Sequence, residues 1–159
     1  MIDTVVITVT NNHLNLAEVQ LFNQGSQISA VSLTFTLSST YSDSDWYLPA
    51  SNCDDGDLAT FCHSGPNYGP STLTITSSLP IEVNEIVIWN RKSCCQDRIN
   101  GATIAAFLNG SEVWSTVVPS TSAMMFSFAI PSQPSAAPSV APTATPGALA
   151  QRLPPTQPI

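Results

Sequence analysis

Two short clusters hold the residues whose types and spacing suit chemistry. The first is Ser51-Asn52-Cys53-Asp54-Asp55-Gly56-Asp57, followed closely by Phe61-Cys62-His63-Ser64. Oxygen donors spaced Asn-x-x-Asp-Gly-Asp, with a glycine allowing a sharp turn, are what a hard cation such as calcium takes. Asp43 and Asp45 lie just upstream, so 5 of the 11 acidic residues fall between positions 43 and 57, a crowd that repels itself unless neutralised. Without a metal the same residues suit a network of Asx turns. The second cluster, Trp89-Asn90-Arg91-Lys92-Ser93-Cys94-Cys95-Gln96-Asp97-Arg98, holds three of the 4 basic residues. Two arginines near a His63 loop can make forked hydrogen bonds to sugar hydroxyls, and adjacent Cys94 and Cys95 can form a vicinal disulfide with a flat apolar face. A plainer reading pairs Arg91 and Arg98 with Asp97 or other loop acids. The four cysteines permit three pairings and point to an oxidising compartment. Reduced, Cys62, His63, Cys94 and Cys95 would offer zinc a ligand set, though without the usual C-x₂₋₄-C spacing.

Composition narrows the function classes. Only His13 and His63 are available as general bases near neutral pH, and neither sits in a nucleophile motif, so no catalytic residue is assigned and a non-enzymatic protein is expected. Four basic against 11 acidic residues, a net charge of −7, leave no stripe of positive charge for a phosphate backbone, so nucleic acid is not an expected partner. No run approaches the ~20 apolar residues of a membrane span. Charged residues make up 9% of the chain, and hydroxyls take their place: serine and threonine are abundant, as in solvated strands and secreted glycoproteins. Asn109-Gly110-Ser111 is a candidate N-glycosylation acceptor. No cleavable leader is visible at Met1, so an extracellular or cell-surface location implies a processed or partial chain.

The elements that must position these clusters read as strands. Val31, Leu33, Phe35 and Leu37 alternate with polar residues, as do Met124, Phe126, Phe128 and Ile130, the period of a strand with one buried face. Runs at 4–10, 71–79, 83–89, 103–108 and 112–118 are short, rich in β-branched residues and separated by Gly, Pro, Asn or Ser. In 14–22 the apolar positions slip phase around Ala17-Glu18, which predicts a β-bulge that turns an acidic side chain off the regular strand direction. About eight antiparallel strands without interleaved helices predict an all-β jelly-roll sandwich over residues 1–130. Residues 131–159 read as a Pro/Ser/Thr/Ala-rich tail. Pro134, Pro138, Pro142 and Pro146 recur every fourth residue, a composition that favours an extended polyproline II rod or a flexible linker. Those prolines are O-glycosylation candidates, and the tail is expected to link protomers.

The motifs Asn52-x-x-Asp55-Gly56-Asp57, Cys62-His63-Ser64 and Asn90-Arg91-x-Ser93-Cys94-Cys95-x-x-Arg98-Ile99-Asn100-Gly101-Ala102 resemble the fucolectin (F-type lectin) branch of the discoidin/coagulation-factor type C, galactose-binding-like superfamily. The likeness covers most of residues 14–113. It implies that His63, Arg91 and Arg98 contact fucose or galactose beside Cys94 and Cys95, with Ser93 standing where the family has an Asp. It further implies calcium held by Asn52, Asp55 and Asp57. Leu16-Ala17-Glu18-Val19 resembles a late family strand that carries a calcium-binding Glu, so the element order looks circularly permuted and Glu18 is implied as a fourth ligand. The cysteines fit two local pairings, Cys53 with Cys62 and Cys94 with Cys95. The function expected is a structural or adhesive building block of a glycoprotein matrix or filament, with glycans as partners; the alternative is a dedicated lectin for fucose- or galactose-like sugars.

Overall fold

Alternating β-branched side chains build the strands and choose their faces. The computed structural model describes residues 1–10, 12–43, 46–65 and 69–131, and among these there are strands and 3₁₀ turns but no α-helix. In chain order the strands are β1 (Ile2–Val9), β2 (Asn15–Asn23), β3 (Ser26–Gln27), β4 (Leu33–Leu37), β5 (Tyr41–Ser42) and β6 (Tyr47–Leu48). They continue with β7 (Cys62–His63), β8 (Ser71–Ile81), β9 (Glu85–Asn90), β10 (Thr103–Leu108), β11 (Ser111–Val117) and β12 (Met125–Ala129). The eight strands longer than two residues occupy the eight runs expected from alternation.

One sheet has the order β11-β10-β1-β8-β4, the other β12-β9-β2-β3 with β7 also on β2, and β5-β6 form a separate ribbon. Every pairing is antiparallel, and the chain is an all-β sandwich. Val5, Ile7 and Val9 of β1, Leu73 and Ile75 of β8 and Ile104 of β10 enter the core from one sheet. Val19 and Leu21 of β2, paired with Ile88 and Ile86 of β9, enter it from the other. Each fully buried side chain of this kind stabilises the fold by about 1.5–3 kcal/mol relative to exposure.

Two ends of the expected alternation differ. Val31 belongs to a 3₁₀ turn, Ala30–Ser32, and is 96% exposed, because the Ser32 amide and hydroxyl both bond to the Ser29 carbonyl and close a turn there. Met124 is likewise exposed, with the strand beginning at Met125. The tail, with Pro134, Pro138, Pro142 and Pro146, lies outside the described residues. Asn109 occupies the exposed turn between β10 and β11 at φ 50, followed by Gly110 at φ 77.

The bulge is present in β2. Leu16 pairs with Asn90 and Glu18 with Trp89, which leaves Ala17 as the extra residue. On its other edge, the start of β2 pairs with β7, Asn15 opposite His63 and Leu16 opposite Cys62. Ser64 locks this junction: its hydroxyl accepts from the Leu14 amide at 3.0 Å and donates to Ser71 at 3.0 Å, while its own amide donates to the Leu14 carbonyl. Gly65 follows because the backbone passes very close to residue 40; a Cβ there would meet the Thr40 carbonyl oxygen at 2.9 Å. Ser64→Ala strands a buried amide, so it should cost about 1–3 kcal/mol in urea denaturation, and a neutral result would contradict this role.

Candidate functional site

A cleft of about 380 Å³ opens beside the β2–β7 junction, and both site loops reach it. His63 comes from β7 and is 7% exposed, its ring packed by Tyr41, His13 and Phe61 at centroid distances of 5.1, 5.5 and 6.5 Å. Arg91 and Arg98 come from the loop after β9. Asn90 anchors that loop from a buried position, donating to the Gln96 and Ala123 carbonyls and accepting from the Arg91 amide. Gln96 returns two hydrogen bonds, to the carbonyls of Arg91 and Lys92. The tight path this imposes puts Cys95 at φ 68, a left-handed conformation that costs a non-glycine residue energy and is held here by its disulfide to Cys94. Both cysteines line the cleft, and Trp46 and Leu48 complete its apolar wall.

Among the described residues, the partners of the two guanidiniums are uncharged. Arg91 lies 3.8 Å over the Phe61 ring and donates from Nε to the Ser93 hydroxyl at 2.7 Å. Ser93 thus orients Arg91 as a carboxylate would, without cancelling its charge. Arg98 Nη1 lies 3.1 Å from His63 Nε2. A guanidinium only donates, so Nε2 is the acceptor and the ring proton resides on Nδ1, which donates to the Ser64 carbonyl at 2.6 Å. Burial foremost, then Arg98, His13 and Arg91, holds the His63 pKa below its ordinary 6.5. Burial and Arg98 also lower that of Arg91. The cleft therefore presents a neutral imidazole between two charged forks and an apolar wall.

The acidic loop lies on the other side of the Cys53–Cys62 disulfide. The bulge carries Glu18 to it: Glu18 is 2% exposed, and its Oε1 accepts from the Gly56 amide at 2.6 Å. Burial raises its pKa to about 7, helped by the adjacent carboxyls of Asp55 and Asp54. Asp55 itself accepts from Thr60 at 2.7 Å and from the Asp57 amide at 2.9 Å, bonds that outweigh its own burial and lower its pKa.

Of the expected cation ligands, the fold brings Glu18 and Asp55 together and adds Asp54, which spacing alone did not mark. Asp57 accepts from the Ala59 amide, and the Asn52 side-chain amide donates to the Phe61 carbonyl. Among the described residues no three His, Cys, Asp or Glu side chains are arranged to hold a metal ion. Both local cysteine pairings are present, which leaves no thiolate for the zinc arrangement. Among the described residues neither Arg91 nor Arg98 bonds to Asp97, one of the acids named in the plainer reading. His63, Arg91, Arg98, Cys94 and Cys95 do share one cleft. The aromatic wall from Tyr41, Trp46 and Phe61, with His13, was not legible. Tyr41 and Trp46 belong on or beside the β5–β6 ribbon, too short to show alternation, while Phe61 carries signal only as a member of the first cluster and His13 only as a rare residue type. Compared with family models, curated proteins and solved structures, the chain finds no match.

The lowered His63 pKa has a sign that can be checked. The unfolded chain binds a proton at His63 more readily than the folded one, so stability from this group is fully present above 6.5 and falls as pH drops through the lower folded value. NMR titration of the His63 ring should give a pKa below 6.5, and a higher value would contradict the Arg98–Nε2 contact.

Proposed function

We propose that this chain is a non-enzymatic, carbohydrate-binding β-sandwich of the fucolectin type, acting as a structural or adhesive building block of an extracellular glycoprotein matrix or filament. The observation that carries the reading is the convergence of Arg91, Arg98 and neutral His63 on one cleft walled by aromatic rings and the Cys94–Cys95 disulfide. A pyranose has one face of C–H groups and an edge of vicinal hydroxyls. The apolar wall suits the first, and forked guanidinium donors suit the second. Fucose- or galactose-like sugars are the proposed ligands. The two disulfides support an extracellular setting, and the proline period of the tail supports the linking role.

Calcium belongs to the same proposal. Glu18 and Asp55 fit a hard cation: two adjacent carboxyls, one of them buried, are held by backbone amides and a hydroxyl, and the raised Glu18 pKa reflects its burial first and the neighbouring carboxyls after that. Asn52 and Asp57 would supply further oxygens from the same loop. The ion would neutralise the loop and, through the buried Cys53–Cys62 disulfide, steady the strand that carries His63.

Two experiments test the reading. On a glycan array, the wild-type chain should bind fucose- or galactose-terminated glycans. Arg91→Ala combined with Arg98→Ala should reduce affinity about 100-fold or more, since each charged hydrogen bond contributes about 1.5–3 kcal/mol; equal binding by both would contradict the site. Adding calcium at about 100 times its Kd should stabilise the wild type by about 2.7 kcal/mol, and Glu18→Gln should abolish that gain. A thermal transition indifferent to calcium and chelator would remove the ion from the account.

A further inference from the structure

A second cavity, of about 280 Å³, opens where the described domain ends. Val113 and Trp114 of β11 line it together with Glu82 and Asn84, which lie between β8 and β9, and with Ile130 and Pro131 beyond β12. It shares no residue with the sugar cleft. Glu82 is exposed and Trp114 half-buried. An accessible indole beside a carboxylate and side-chain amides suits a polyproline II segment: the ring receives proline, amide donors reach the solvated carbonyls, and the acid takes a flanking basic residue.

The chain contains a segment of that description. Gln151-Arg152-Leu153-Pro154-Pro155 joins a diproline to the only basic residue beyond Pro131. All 11 acidic residues and three of the 4 basic ones precede it, so Arg152 is a lone positive charge beside a strongly acidic domain. We infer that the Arg152-Leu153-Pro154-Pro155 segment of one copy docks in the Trp114–Glu82 cavity of the next, which joins copies head to tail.

The length of the intervening chain allows the segment to reach a neighbour's cavity. Pro131 is in the cavity wall. Arg152 lies 21 residues beyond it in the sequence, a contour of about 65 Å at ~3.1 Å per residue. The longest strand, β8 with 11 residues, spans only about 36 Å at ~3.3 Å per residue. That contour is long enough for the segment to reach the cavity of a neighbouring copy. A contact between two different surfaces does not close on itself unless the rotation happens to, so it propagates as a filament.

This inference rests on the reading that the tail links protomers, and the test separates the two. Full-length chain carrying a photo-crosslinking phenylalanine in place of Leu153 is prepared as a mixture of ¹⁵N-labelled and unlabelled copies. Sedimentation velocity is run in parallel on Glu82→Lys, Arg152→Glu and the two combined, with circular dichroism confirming the fold. The expected result is crosslinks at Val113 or Trp114 that join a labelled to an unlabelled copy. Each single charge reversal should weaken self-association about ten-fold, and the combined variant should restore it. Crosslinks confined to one copy, or assembly undiminished in Glu82→Lys, would overturn the docking site while leaving a linking tail in place. A wild-type full chain that stays monomeric would overturn both.

Discussion

The start of β2 is the constraint on which the site depends. At Asn15 and Leu16 this strand pairs with β7 on one edge and, at Leu16, with the end of β9 on the other. His63 rides on β7 and Arg91 follows β9, so the spacing of one antiparallel sheet, about 4.8 Å between strands, sets how far apart the two site loops begin. The core holds that register, because slipping β2 by one residue would turn Leu14, Leu16, Val19 and Leu21 outward. The bulge at Ala17 then lets one strand serve two purposes, keeping both halves of its apolar set inward while Glu18 reaches the acidic loop.

Acidic loop and basic cleft are connected mechanically. The Cys53–Cys62 disulfide and the Asn52 hydrogen bond to the Phe61 carbonyl tie residues 52–57 to the strand that carries His63. Phe61 in turn supports Arg91 from below, and Arg98 completes the group through His63. Loosening the acidic loop therefore loosens the surface on which both guanidiniums rest. Charge is handled differently in the two regions: Glu18 and Asp55 are bonded to amides and a hydroxyl, while among the described residues Arg91 and Arg98 have uncharged partners.

Much of the fold was legible because alternation of β-branched residues is a local signal. The long strands follow from it, and so does the bulge, since a strand can keep both halves of a phase-slipped apolar set inward only by inserting an extra residue between them. Val31 shows the limit: side-chain type continued the pattern, but serine hydrogen bonding to the backbone closed a turn instead. In the site, adjacency of Cys94 and Cys95 and the pair of arginines could be read directly. The wall of Tyr41, Trp46 and Phe61 could not, since the β5–β6 ribbon is too short to show alternation and its meeting with Phe61 and the arginine loop is long-range. Asn90 and Gln96 were equally hidden, because their part is to bond backbone carbonyls and any polar residue looks the same in sequence. Asn15 is the least expected of these residues. Its side-chain amide is buried beside His63, and neither its nitrogen nor its oxygen has a hydrogen-bond partner among the described residues.

The central claim is that Arg91, Arg98 and His63 form one sugar-binding cleft. The most direct measurement is an NMR titration of the ¹⁵N-labelled chain with fucose and with galactose, following the arginine Nε–H and histidine ring signals. The account predicts saturable shifts at Arg91, Arg98 and His63, with the Trp114 indole unmoved. Sugar titrated to high concentration with those three signals unchanged would contradict it.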